Sequence, residues 1–481
     1  MNDVNAPMNS VRQTDTALES SFRVLHQASR SEPSVSAGVR RDRLRRLLAL
    51  LTERTAEFEA AINTDFGHRS VHETRLLETH VVESGIKLAL RHLDRWMRPK
   101  RIGTQLPFVP GSNHLIPQPL GVVGIISPWN YPLQLTLAPM TGALAAGNRV
   151  MLKPSELTPH FSEVLRVMIG RYFDSTEAVS VEGGPDVAAA FSSLPFDHLL
   201  FTGSTRVGCL VAQAAAKNLT PVTLELGGKS PAIIDRSTEL ARAAHRIAVG
   251  KLLNAGQTCI APDYVLCPHE FVDRFAELYF ASAAALYGSD PGNPDYSSIV
   301  NQSHYDRLEK LLADAASKGA RVEMRVDRLA DWKSRRKLPP CLVLSPKNGM
   351  LVSQEEIFGP VLPVVGYERA EDAIAFVNAH ERPLALYWFG TDAKARQRIL
   401  RETVSGGVTI NDCLLHFAQE NQPFGGVGGS GMGAYHGEWG FHTFSKDKPV
   451  YFRPRLSATV LTRPPYGKRF DRVLAALRWL T

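Results

Sequence analysis

The sequence predicts an α/β protein in which two successive runs of strands form parallel sheets wrapped by helices. Three observations lead there. From Leu120 onward, short apolar runs alternate with small-residue helical stretches, the pattern of a parallel sheet covered on both faces. The alternation continues with new strands over 225–410, which implies a second α/β domain. At 481 residues the chain is long enough for two or three domains and a large core.

Taken in order, residues 1–12 read as disordered. Residues 13–98 read as helices, with breaks at Ser31–Ser36 and near Gly67. Within them, R-R-D-R-L-R-R at 40–46 opens a stretch with Leu44, Leu47, Leu48 and Leu51 at helical spacing. It reads as a solvated helix face, with an anion or membrane-surface patch as the alternative. The proline- and β-rich stretch at 101–120 reads as an extended hairpin leaving the main body, or as a plain loop. V-V-G-I-I-S at 122–127, R-V-M-L-K-P at 149–154 and D-H-L-L-F-T-G-S at 197–204 read as strands. The stretches 137–147 and 207–216 between and after them read as helices. V-T-L-E-L at 222–226, P-A-I-I-D at 231–235 and G-V-T-I-N at 407–411 are strands assigned to the second domain. Near the end, Phe470, Val473, Leu474 and Leu477 share one helical face, suited to docking on the body, on a partner subunit or on a membrane surface.

Composition excludes several classes. At 44% hydrophobic and 21% charged, the chain is an ordinary globular one, and no apolar run approaches the ~18 residues of a membrane span. No signal peptide is apparent. The net charge of +7 is a weak bias at this length, and with no recognition motif it gives no support to nucleic-acid binding. Five scattered cysteines fit reduced thiols in a cytoplasm, and no zinc spacing occurs, so no structural metal is expected.

Two residues carry the chemistry. Cys259, in L-N-A-G-Q-T-C-I-A-P, lies among small and polar residues with no second cysteine close by, as a nucleophile would. Glu225, in L-E-L-G-G-K-S-P, is a carboxylate carried inward on a strand end. Together they can form an acyl-enzyme and hydrolyse it. Asn130, in S-P-W-N-Y-P, sits in a rigid aromatic and proline-rich turn, where its amide can donate to a developing oxyanion; an ordinary turn asparagine is the alternative. F-T-G-S-T-R-V-G at 201–208 places Gly203, Ser204 and Gly208 at a strand-to-helix turn suited to a pyrophosphate, though a glycine turn without ligand reads equally well. Lys153 and Glu156, at a strand's carboxyl end, suit ribose hydroxyls or form a plain ion pair. Glu356 and Phe358 alternate along what reads as an extended segment ending at Gly-Pro.

The ensemble resembles the aldehyde dehydrogenase superfamily over nearly the whole chain. The resemblance rests on P-W-N at 128–130, K-P-S-E at 153–156, F-T-G-S at 201–204, E-L-G-G-K-S at 225–230, G-Q-T-C at 256–259, E-E-I-F-G-P at 355–360 and P-F-G-G at 423–426. C-I-A-P-D-Y at 259–264, S-G-M-G-A-Y-H-G at 430–437 and the terminal P-P-Y-G-K are similar to the class 3 branch. G-F-H-T-F-S-K-D-K-P-V at 440–450 is similar to the bacterial coniferyl aldehyde dehydrogenases within it. The resemblance implies a Rossmann-type NAD(P)-binding domain at 1–100 and 121–224, a catalytic domain at 225–445, and a bridging element at 101–120 and 446–481. It makes Cys259 the nucleophile, Glu225 the general base, and Asn130 an oxyanion donor alongside the Cys259 backbone N–H. Lys153 and Glu156 would hold the adenosine ribose, residues 203–208 the pyrophosphate, and Glu356 and Phe358 the nicotinamide end, with Trp129 beside it. Tyr131 and Phe424 would shape the aldehyde funnel. The implied activity is oxidation of an aldehyde to its acid with NAD, or with NADP. Aromatic aldehydes are expected, with medium- to long-chain aliphatic aldehydes or an acyl-transferring variant as alternatives. A cytoplasmic homodimer is the implied form.

Overall fold

The computed structural model describes residues 6–326, 329–455 and 461–480. Numbered along the chain, β1 (Lys100–Ile102) and β2 (Ser112–Pro119) form the expected hairpin, with Lys100 opposite Leu115. β3 (Val122–Ile126), β4 (Arg149–Lys153), β5 (Ala178–Ser180), β6 (His198–Thr202) and β7 (Val222–Glu225) form a parallel sheet. β8 (Pro231–Ile234), β9 (Tyr264–Pro268), β10 (Arg321–Met324), β11 (Cys341–Leu344), β12 (Val361–Tyr367), β13 (Ala385–Phe389) and β14 (Gly407–Ile410) form a second sheet, in the order β10-β11-β12-β9-β8-β13-β14. Only β10 runs antiparallel there. β15 (Gly431–Met432) returns to the first sheet, whose order is β15-β7-β6-β3-β4-β5, and β16 (Ser445–Phe452) adds to β2 of the hairpin.

The central strands β3, β4 and β6 are buried along their whole length, which is why they read as continuous apolar runs rather than alternating ones. In β3, Gly124 is a packing requirement: a Cβ there would meet the Phe196 ring at 2.8 Å and Leu199 at 2.9 Å. The helix Pro132–Ala146 starts with proline at its first turn and stops at Gly147 with φ 92°, the left-handed cap that glycine favours. Because β3 pairs with β4 on one side and β6 on the other, the chain reverses direction across the sheet there, leaving a crevice at the strands' carboxyl ends.

Four expectations need correction. Strand 222–226 belongs to the first sheet, pairing Thr202 with Glu225, rather than to the second. The first helix runs Ala6–Ser31, so residues 6–12 are helical; residues 1–5 lie outside the described residues. The basic cluster at 40–46 is only in part a solvated face: Asp42 and Arg45 are exposed. Arg40 and Arg43 are buried. Arg40 donates to the carbonyls of Val35 and Ala145, and Arg43 and Arg46 clamp Glu177. Finally, the segment holding Glu356 and Phe358 is not extended, since Phe358 has φ 51°. The helix Lys468–Leu480 forms, with Phe470, Val473, Leu474 and Leu477 half-buried. Among the described residues no helix is long and apolar enough to cross a membrane.

Candidate active site

The loop that presents Cys259 is wound tightly. After the helix Leu240–Leu252, Asn254, Ala255 and Gly256 all take positive φ, of 50°, 51° and 76°. A Cβ on Gly256 would lie 2.3 Å from the Gly359 carbonyl oxygen, so the sequence can place only glycine there without moving backbone. Gln257 staples the turn: its Nε2 donates to the carbonyls of Asn254 and Ser298, and its Oε1 accepts from Val300 N at 2.9 Å. Cys259 itself is partly exposed. Burial, then the Glu356 and Glu225 carboxylates, push its thiol up to about 12.

Glu225 ends β7 and is held in register by Gly431 of β15. Neither carboxylate oxygen has a hydrogen-bond partner, and burial raises its pKa well above the usual carboxylate value. An orphaned, buried carboxyl beside a thiol is what a base awaiting water or substrate looks like. Asn130 is buried; its Nδ2 donates to the Gln257 carbonyl at 3.1 Å, which ties the amide to the nucleophile loop.

Beneath Asn130 lies a network that motif reading missed. Arg69, fully buried, donates from Nη1 to the Asn130 carbonyl at 2.9 Å, and Asn254 Nδ2 donates to the same oxygen at 3.0 Å. Its guanidinium lies 4.9 Å from the ring centres of Phe66 and Tyr131. Two buried carboxylates face it: Glu73 at 3.9 Å and Glu78 at 3.6 Å. Glu73 accepts from Asn254 N, and Glu78 accepts from Leu133 N and Gln134 N at the start of the helix Pro132–Ala146. The π-helical turn Arg75–Thr79 aligns residues five apart and so brings Glu78 to the side of Glu73. An α-helical spacing rule does not anticipate that alignment.

Cys259, Glu225 and Asn130 line one cleft, together with Trp129, Gly203, Ser204, Glu356 and Phe358. It encloses about 740 Å³, part of it open to solvent. Ser204 caps the twelve-residue helix Thr205–Ala216, its Oγ accepting from Val207 N, so the cleft ends on free N–H groups at a positive dipole end. Gly208, one turn on, gives Leu226 room: a Cβ there would lie 2.6 Å from it. Glu356, half-buried, packs against Gly227, where a Cβ would fall 2.1 Å from Oε2, and desolvation lifts its carboxyl to about 8. The Phe358 and Trp129 rings meet edge-on at 5.4 Å. The cleft also holds His304 and Arg307, from the helix Gln302–Ser317, which sequence reasoning did not single out. His304 lies 4.9 Å from the Trp129 ring, and Arg307 donates to the Glu356 carbonyl at 3.1 Å.

Lys153 and Glu156 lie at the end of β4 rather than in the cleft wall, 3.2 Å apart, with Lys153 buried and Glu156 exposed. Tyr131 and Phe424 are also not among the residues lining the cleft. The Tyr131 hydroxyl is hydrogen-bonded to Thr258 Oγ1 at 2.7 Å, next to the nucleophile. Phe424 packs among Phe417, Tyr435 and His436. Among the described residues no group of three or more His, Cys, Asp or Glu could hold a metal.

A model of the aldehyde dehydrogenase family matches residues 6–450. A probable coniferyl aldehyde dehydrogenase from Pseudomonas aeruginosa is 50% identical, covering 97% of each chain. The solved substrate-bound state of Staphylococcus aureus AldH superposes with a TM-score of 0.91 at 37% identity, covering 96% of this chain and 99% of that one. A Mycobacterium tuberculosis aldehyde dehydrogenase complexed with NAD+ gives 0.81 at 27%, covering 92% and 90%.

Proposed function

The chain belongs to the aldehyde dehydrogenase family, and from that premise we propose that it oxidises aromatic, coniferyl-type aldehydes to their acids with NAD, or with NADP. One observation carries the reading: Cys259, Glu225 and Asn130 line the same cleft as the Gly203–Ser204 turn. The residues fit the cofactor. The N-terminus of the helix Thr205–Ala216 suits a pyrophosphate, Lys153 and Glu156 suit the adenosine ribose, and Glu356, Phe358 and Trp129 border the end nearest Cys259. When bound, the nicotinamide supplies the acceptor for the hydride that a tetrahedral alkoxide loses on becoming a thioester.

The rest is done by side chains. The Cys259 sulfur, once deprotonated, bonds to the carbonyl carbon. The resulting alkoxide accepts hydrogen bonds from Asn130 Nδ2 and the Cys259 backbone N–H, charge stabilisation that exists only once the bond has formed. Glu225 takes a proton from water, which adds to the thioester and releases the acid and the thiolate. A hydrolytic base in place also argues against transfer of the acyl group to another acceptor.

In the same reading, residues 1–100 and 121–224 serve cofactor binding, 225–445 catalysis, and 101–120 with 446–481 bridge subunits of a cytoplasmic homodimer. The support for a dimer is β16: it pairs with β2 on one side only and exposes Tyr451 and Phe452, an edge open to a second chain. Initial rates with NAD and NADP over aromatic and aliphatic aldehydes test the function. Wild-type turnover of coniferyl aldehyde and none in Cys259→Ala are expected; appreciable turnover in that variant, or a clear preference for a long aliphatic aldehyde, overturns the assignment.

A further inference from the structure

Two charged side chains stand outside the reacting trio, yet each follows a member of it by four positions: Lys229 follows Glu225, and Asp263 follows Cys259. The fold brings them together. Lys229 lies between β7 and β8, Asp263 just ahead of β9, and the Lys229 Nζ donates to Asp263 Oδ2. Asp263 is buried and Lys229 half-buried. The Asp263 backbone N–H also donates to the Ser230 carbonyl at 2.7 Å, so the base loop and the nucleophile loop are joined by main chain as well as by charge.

What the pair holds is a third segment. The Lys229 Nζ donates to the carbonyls of Val352 at 2.9 Å and Glu355 at 2.8 Å. Asp263 Oδ1 accepts from Ile357 N at 2.8 Å. Arg307 adds donors to the Glu356 and Ile357 carbonyls. These bonds all involve a charged partner, which makes each stronger than a neutral one. They fasten 352–357 up to the residue before Phe358, whose φ of 51° a non-glycine residue keeps only when its surroundings impose it. The Glu356 side chain turns back onto the base loop, against Gly227. Burial and then Asp263 raise its carboxyl, while the Gly228 backbone N–H, Lys229 and Arg307 draw it back. The cations therefore let two carboxylates share one region. Neither Lys229 nor Asp263 lines the cleft, so both act through Glu356 and Phe358, which do.

We propose that Lys229 and Asp263 are positioning residues for the cofactor: the pair fixes the segment 352–358 to the loops of Glu225 and Cys259, so that Glu356 and Phe358 stand in place at the nicotinamide end before the dinucleotide arrives. The inference rests on the cofactor reading given above. A segment in place only a fraction of the time weakens apparent affinity by that fraction, and only for the part of the ligand that reaches it.

The test is calorimetric titration of the full chain with NADH and with ADP, which carries the adenosine and pyrophosphate but no nicotinamide. Lys229→Met is expected to weaken NADH binding by about 10–100-fold, the range of one or two lost hydrogen bonds to a charged group, and to leave ADP binding as in the wild type. Lys229→Arg, which keeps a cation with donors to spare, should recover most of the loss. Because Lys229→Met strands the buried Asp263 carboxylate, the double variant Lys229→Met/Asp263→Asn repeats the measurement without a stranded charge, and the same selective loss is expected. Unchanged NADH affinity in both variants, with Glu356→Gln weakened, overturns the positioning role and leaves the cofactor reading standing. Equal losses for NADH and ADP overturn it too, since they report a general loss of structure. If Glu356→Gln binds NADH like the wild type, or the wild type binds no NADH, the cofactor reading fails at this end and the inference with it.

Discussion

At the residue scale, the site's chemistry is set by which charges are absent. Cys259 is raised first by burial and then by Glu356 and Glu225, so every negative charge removed nearby should make its thiolate easier to form. Glu356 itself ionises only near about 8. The thiol of Glu356→Gln is therefore expected to titrate at lower pH than that of the wild type, with the two curves diverging above about pH 8. Iodoacetamide alkylation rates against pH measure this, and superimposable curves would refute the coupling. Asn130 makes the opposite kind of contribution, aimed at charge that arises during reaction. Asn130→Ala should lower kcat by about 10²–10³ with a smaller effect on KM, read from steady-state rates.

At the scale of elements, the turn Arg75–Thr79 and the loop 253–258 are locked together through Arg69. Replacing Arg69 with Met strands Glu73 and Glu78 as buried carboxylates without their cation. A loss of about 3–5 kcal/mol is expected, measured by denaturant unfolding, with kcat falling alongside as Asn130 and Asn254 lose their common anchor. This is also the scale at which sequence reading succeeds and fails. Strands β3, β4, β6 and β8 were legible because burial on both faces leaves an unbroken apolar run. The sheet to which β7 belongs was not, because strand pairing is a long-range property that its five letters do not encode. Cys259, Glu225 and Asn130 stood out because each sits in a short stretch whose composition is odd for a core. Arg69 sits in the short loop after the helix Thr55–Phe66 and His304 and Arg307 in ordinary helical sequence, and only folding reveals what they face. Arg40 and Arg43 misled for the same reason: the Glu177 that receives Arg43, and the Ala145 carbonyl that receives Arg40, lie more than 100 residues away.

For the molecule as a whole, buried His198 and His436 and half-buried His416 are held neutral. His198 and His416 are pushed down to about 4 and His436 to about 3, all by burial. In the unfolded chain a histidine binds its proton near ~6.5. Between that value and about 4, the unfolded chain therefore holds protons that the folded one refuses, so stability falls as pH is lowered through this window. Thermal melts at neutral pH and near pH ~5 should show a clear drop in Tm. A melting temperature that is flat over that interval would mean that these side chains gain solvent or partners in the folded state.

The strand that carries Glu225 is finished by Gly431, and the hairpin at 100–119 is finished by β16. Gly431 follows Glu225 by 206 positions, so a ribosome making this protein must synthesise all of the intervening chain before the general base has its last neighbour. Until then the nascent polypeptide carries its reactive sulfur without a completed chamber around it, so catalytic competence arrives in one late step of synthesis rather than growing with length.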